Sequence, residues 1–183
     1  MEDKRILELY KAGEHDQAFN LLVRQSSQPL YWHIRKIVLD HDDANDLLQN
    51  TYIKAWGALD TFREDSKLYT WLFRIATNEV LNFLRKKKII NFLSFGDETQ
   101  NIENKLASDL TFSGDKAVIA LHKAIASLPP RQKVIFSMRY FDEKKFDEIA
   151  EILEITEGAA KASYHHAHNK IASLLKEELD FGD

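Results

Sequence analysis

Arg74, Asn78, Asn82 and Arg85 recur four, four and three residues apart, a spacing that places side chains on one face of a helix. Guanidinium groups and amides in a row suit base edges and backbone oxygens, and the run Arg85, Lys86, Lys87, Lys88 suits phosphates. Tyr69, Trp71 and Phe73 stand just ahead, where aromatic rings could stack on unpaired bases. Residues 69–88 hold five basic side chains and one acid, Glu79, a net of +4. The whole chain is −4, so everything outside this stretch sums to −8. An amphipathic core helix with a solvated, charged end fits the same residues, because Leu72, Ile75, Ala76, Val80, Phe83 and Leu84 also recur at helical spacing.

A second cluster lies near the C-terminus: Lys161, Ser163, His165, His166, His168 and Lys170. Adjacent His165 and His166 cannot both aim at one metal from a regular helix, and H-E-x-x-H is absent from the sequence. Solvated or DNA-facing imidazoles fit better than a metal site. The sequence contains neither a phosphate-binding G-x-x-x-x-G-K-[ST], nor G-x-G-x-x-G, nor G-x-S-x-G, and no nucleophile stands with a base. Absence of cysteine excludes disulfides, thiolate zinc sites and cysteine nucleophiles. The expectation is a protein that is not an enzyme and uses no cofactor or metal.

The elements that position these residues are helices. Six glycines and three prolines in 183 residues disfavour a turn-rich β fold, and 44% hydrophobic content is that of a folded chain. A net charge of −4 argues against coating nucleic acid unaided; it leaves room for local DNA contact while something larger holds the protein there. The charged N-terminus lacks the apolar run of a signal peptide, and no segment is long enough to enter and span a membrane, so a cytoplasmic location is expected. The fold class is all-α, with two small helical domains joined by a flexible linker.

Residues 1–40 read as scaffold: a short helix around Ile6 and Leu9 ended by Gly13, then a second path that Pro29 should break or kink. In residues 40–59, Ala44, Leu47, Leu48, Thr51, Tyr52, Ala55, Trp56 and Leu59 make a wide apolar stripe, behind acids that suit a helix start. Asp46, Gln49, Asn50 and Ile53 project from the other side. That face could dock a partner; an ordinary capped helix explains the acids equally well. The polar loop 60–67 follows, with Ser66 placed to cap the basic helix.

From Ile89 to Gly114 periodicity stops, and one Lys stands against four acids. A first domain is therefore set at 1–90, a tether at 91–114 and a second domain at 115–183. Phe92, Phe95 and Phe112 are too sparse for a core. The second domain opens on a stripe at Ala117, Leu121, Ala124, Ile125 and Leu128, then restarts at Pro129 and Pro130. Two helices follow. One packs through Phe146, Ile149, Ala150 and Leu153; the other is capped by Thr156 and packs through Ala160, Tyr164, Ala167, Ile171 and Leu174. That is the spacing of a helix-turn-helix, which generic αα-hairpins share.

Several motifs resemble one family in one order. WLFRIATNEVLNFLRKKK resembles the promoter-melting helix of bacterial extracytoplasmic-function RNA polymerase sigma factors. DDANDLLQNTYIKAW is similar to that family's polymerase-binding helix, and the segment from SLPPRQKV to NKIASLL resembles its domain that reads the minus-thirty-five element. The resemblance covers residues 16–176. It implies a sigma factor that binds core RNA polymerase, recognises the minus-ten and minus-thirty-five elements and helps open promoter DNA. Carried over by position, Asp46, Gln49, Asn50 and Ile53 dock on the clamp helices of the largest polymerase subunit, with the polymerase flap as a further contact. Phe62, Arg63, Ser66, Lys67 and Asn78 take the flipped promoter base, and extruding a base costs a few kcal/mol that the pocket must offset. The tether threads toward the RNA exit path, and the resemblance leaves room for an anti-sigma factor as another partner. This chain departs from the family in its recognition helix, where Ala159-Ala160-Lys161-Ala162-Ser163 and His166-Ala167-His168 replace arginine-bearing patterns. Bidentate guanine readers are thereby lost. Two other readings compete: a helix-turn-helix regulator working without polymerase, which leaves residues 42–88 unexplained, and a protein-binding adaptor, which leaves the +4 helix unexplained.

Overall fold

Helix-forming runs broken by few glycines and prolines give the architecture its order. The computed structural model describes residues 3–62, 64, 66–94 and 116–179, the side chains of 91–94 and 179 excepted. The described elements are α1 (Asp3–Lys11), α2 (His15–Val38), α3 (His41–Ala58), a 3-10 turn (Leu59–Thr61), α4 (Leu68–Ser94), α5 (Lys116–Ala126), α6 (Pro130–Tyr140), α7 (Phe146–Leu153) and α8 (Glu157–Leu179). The described residues contain no strand. The chain divides into two compact units, Met1–Val80 and Leu81–Asp183.

In the first unit α1 packs on α2 and α2 on α3. Gly13, at φ 84°, makes the left-handed turn out of α1, where a side chain would be strained. Asp40 caps α3, its carboxylate accepting from the backbone N–H groups of Asp42 at 3.1 Å and Asp43 at 3.0 Å. Such a cap contributes about 1 kcal/mol. Leu22, Leu30, Ile34 and Ile37 of α2, Ala44 and Ala55 of α3, and Leu68, Leu72, Ala76 and Val80 of α4 are buried. Each large aliphatic side chain among them contributes roughly 1.5–3 kcal/mol by leaving water.

Three expectations change here. Pro29 does not break the path: α2 runs unbroken from His15 to Val38. Pro29 itself is exposed, and buried Ser26 and Leu30 on either side of it hold the helix against its neighbours, so packing outweighs the local preference. Phe73 is no stacking platform; it is 2% exposed, with its ring 4.1 Å from that of His33. Helix α4 also runs six residues past the lysine run, because nothing from Ile89 to Ser94 is a helix breaker. Beyond it, residues 95–114 of the expected tether, with Phe95 and Phe112, lie outside the described residues, as does the side chain of Phe92.

In the second unit Pro130 opens α6 at a position where the missing N–H costs nothing. Six consecutive residues of α6, Lys133 to Met138, are buried, and α8 packs against α5, α6 and α7 alike. Ala124, Ile125, Leu128, Phe136, Ala167 and Ile171 form one apolar cluster, with Tyr164, Leu174 and Phe141 against it. Glu148 accepts from the Lys145 backbone N–H at 2.8 Å at the start of α7. Ile149 and Ala150 are buried as expected; Ile152 is buried as well, while Leu153 is only half-buried. The turn into α8 places Glu154 at φ 53°, and Thr156 Oγ1 accepts from Ala159 N–H at 3.1 Å, the expected cap.

Candidate functional site

Helix α3 buries one face and turns the other to solvent. Asp46, Gln49 and Asn50 are exposed, and Ile53 is 68% exposed, a large aliphatic group with no core role. Trp56 joins it. Expected in the buried stripe, Trp56 is 43% exposed and meets Phe19 of α2 edge-on, with 4.8 Å between ring centroids. Ile53, Trp56, Phe19, Tyr52, Asp16 and Asn20 line a shallow cleft of about 510 Å³. Tyr52 anchors its floor: its hydroxyl lies 2.8 Å from Ser26 Oγ, which donates to Leu22 O at 2.6 Å. Burial raises the Tyr52 phenol above its ordinary pKa of 10.0, and the Ser26 bond pulls it partly back. An apolar floor with an acid, Asp16, at its edge suits a helix that carries both aliphatic and basic side chains. Phe19 and Trp56 escaped sequence reasoning. The signal was there: the seven stripe positions on α3, Ala44 to Trp56, cover more of its circumference than one buried face needs.

On α4, Arg74 is half-buried while Asn78, Asn82 and Arg85 are exposed along one line. Arg85 Nη1 donates to Asn82 Oδ1 at 3.4 Å. Glu79, the acid that breaks the positive stretch, is turned away onto α3: Lys54 Nζ lies 2.5 Å from its Oε1, and its side chain is only 12% exposed. One carboxylate is thereby neutralised and withdrawn from the basic face. Lys86 and Lys88 are exposed, and Lys87 Nζ sits 5.2 Å from the centre of the Phe83 ring.

The 60–67 loop leads into this helix. Phe62 is half-buried, its ring 5.3 Å from Trp71, and Asn78 follows Trp71 by two helical turns on the same side. Ser66 is half-buried and Lys67 exposed; Arg63 lies outside the described residues. Ser66 does not cap α4. Its hydroxyl turns to Lys67 O at 3.5 Å, and the Leu68 N–H is taken instead by Asp3 Oδ2 at 2.9 Å. A carboxylate 65 positions upstream outcompetes the neighbouring hydroxyl because it is charged and faces the positive end of the helix.

On α8, Lys161, His165, His166, His168 and Lys170 are exposed and Ser163 is half-buried. Lys161 Nζ pairs with Glu157 Oε1 at 2.5 Å, one turn away. Lys170 Nζ donates to Ser127 O at 2.9 Å, at the end of α5. His165 Nε2 lies 3.0 Å from Asn169 Nδ2. At about 100° per residue the three imidazoles point in three directions. Among the described residues no group of three His, Cys, Asp or Glu could hold a metal, and no helix is long and apolar enough to cross a membrane.

Comparison with known proteins matches both halves of this arrangement. Residues 22–89 match the family described as Sigma-70 region 2, and residues 119–171 match Sigma-70, region 4. The ECF RNA polymerase sigma factor SigW of Bacillus subtilis is 30% identical over 186 residues, spanning 97% of this chain and 98% of the relative. The ECF RNA polymerase sigma-E factor of Escherichia coli (strain K12) is 29% identical over 194 residues, spanning 96% and 97%. Among solved structures, the chain resembles CnrH in complex with the cytosolic domain of CnrY at a TM-score of 0.65 and 21% identity, covering 97% of this chain and 99% of that one. It also resembles the sigma factor RpoE in complex with the anti-sigma factor NepR from Bartonella quintana, at 0.61 and 22%, covering 86% and 96%.

Proposed function

The chain belongs to the extracytoplasmic-function family of RNA polymerase sigma factors, and from that premise we propose which of its surfaces carries each part of the family's work. The protein is an alternative sigma factor, not an enzyme: it binds core RNA polymerase, recognises promoter DNA and initiates transcription. In our reading residues 1–90 dock and melt, residues 91–114 tether, and residues 115–183 hold the upstream element. The outer face of α3 meets the clamp helices of the largest polymerase subunit through Asp46, Gln49, Asn50 and Ile53, extended by Trp56 and Phe19. Exposed Ile53 beside that aromatic pair carries this reading, since an unburied aliphatic patch ringed by polar groups marks a partner surface.

Asn78 and the 60–67 loop receive the extruded base, and Arg85 to Lys88 hold phosphates. The similar sigma factor RpoE is in complex with the anti-sigma factor NepR, and an anti-sigma factor is the partner we propose for the resting state here, in the cytoplasm. The experiment mixes the purified protein with core polymerase and a promoter template. Promoter-dependent transcription is expected, and Ile53→Asp should abolish it while leaving the helical content intact. DNA binding of equal strength without polymerase would favour the plain helix-turn-helix regulator instead.

A further inference from the structure

Helix α1 does more than fill a corner of the core. Ile6 is 0% and Leu9 9% exposed, so the helix is pinned on α2 by its apolar face. Its polar face reaches the 60–67 loop three times. Asp3 Oδ2 accepts the Leu68 N–H at 2.9 Å, where the loop becomes α4. The Tyr10 hydroxyl donates to Asp60 Oδ1, where the loop begins. Between them Lys11 Nζ pairs with Glu64 Oε1 at 2.6 Å. Glu64 has φ 60°, a left-handed backbone that a non-glycine residue keeps only when its surroundings impose it. The hydrogen bond to the Asp60 carboxylate raises the Tyr10 phenol above its ordinary pKa of 10.0, so it stays a donor throughout the physiological range.

We infer that Asp3, Tyr10 and Lys11 of α1 are positioning residues for promoter opening, holding Asp60, Glu64 and Leu68 where the loop receives the flipped base. This rests on the assignment of that loop and Asn78 to the base pocket. A loop left to sample many shapes must be ordered when the base arrives, and that cost falls on opening, not on closed binding. Tying both ends and the middle to a helix anchored on α2 lowers that cost beforehand.

The test uses holoenzyme built on the full chain and compares Tyr10→Phe, Lys11→Glu, the exchange Lys11→Glu with Glu64→Lys, and Asn78→Ala. Bubble formation is read by permanganate reactivity, closed binding by band shift, and core affinity and thermal unfolding serve as controls. The Lys11 and Glu64 side chains are 68% and 50% exposed, so neither change threatens folding. Lys11→Glu should lower the open fraction about fivefold, the reach of one surface charge pair reversed, with closed binding and core affinity unchanged. The exchange should restore opening. Normal opening by Lys11→Glu overturns the inference, and so does an exchange variant as defective as the single one. Normal opening by Asn78→Ala overturns the pocket assignment itself, a separate result.

Discussion

Helices α4 and α8 both face DNA in this account, yet they manage their charge in opposite ways. On α4 the only acid is drawn off by Lys54, leaving Arg85, Lys86 and Lys88 exposed in the second half of the helix. On α8 Lys161 and Lys170 are occupied at home: Lys161 by Glu157 one turn away, Lys170 by the Ser127 carbonyl. Between those two lysines the polar groups are Ser163, Tyr164, three imidazoles and Asn169, with no guanidinium to read guanine bidentately. In the function we propose, one helix grips phosphate and the other touches DNA lightly, so that the hold on the promoter comes from the polymerase and from α4 while α8 contributes register. An overall charge of −4 fits that division, since docking raises the local concentration of DNA around a helix that would bind poorly alone.

The comparison breaks most visibly in salt. Changing Lys86, Lys87 and Lys88 to Ser should flatten the log–log salt slope of promoter binding by up to about 3, at roughly 0.9 per phosphate contact. The pair Lys161→Ser and Lys170→Ser should change that slope by less than about 1, because each lysine must first leave its present partner. Equal changes would erase the distinction between the helices.

A second prediction sharpens it. Glu157→Gln frees Lys161 and removes a negative charge from the start of α8, where base edges are read. Affinity for a duplex carrying only the upstream element should rise by a few fold, on the order of 1 kcal/mol or less for an exposed pair. A titration showing no gain would mean that Lys161 does not reach DNA.

Much of this was legible in the letters. The spacing of Arg74, Asn78, Asn82 and Arg85 placed them along one side of α4, and Thr156 was readable as the cap of α8, because both rules act within a few residues. What stayed hidden depends on residues far apart in sequence. Asp3 caps α4 across 65 positions, a pairing set by the packing of α1 on α2. Phe73 reads as an aromatic among aromatics until His33 closes over it. Trp56 looks like core until Phe19 is brought beside it at the surface. The Glu157–Lys161 pair was within reach of helix spacing alone, at i and i+4.

The most direct measurement splits the promoter. Holoenzyme would be titrated, over a range of salt, against an upstream duplex carrying only the minus-thirty-five element and against a downstream fork carrying the minus-ten element. The account expects a steep salt slope on the fork that falls by up to about 3 in the triple lysine variant, with a shallow slope on the upstream duplex that the same variant leaves unchanged. A slope on the upstream duplex as steep as that on the fork would contradict it.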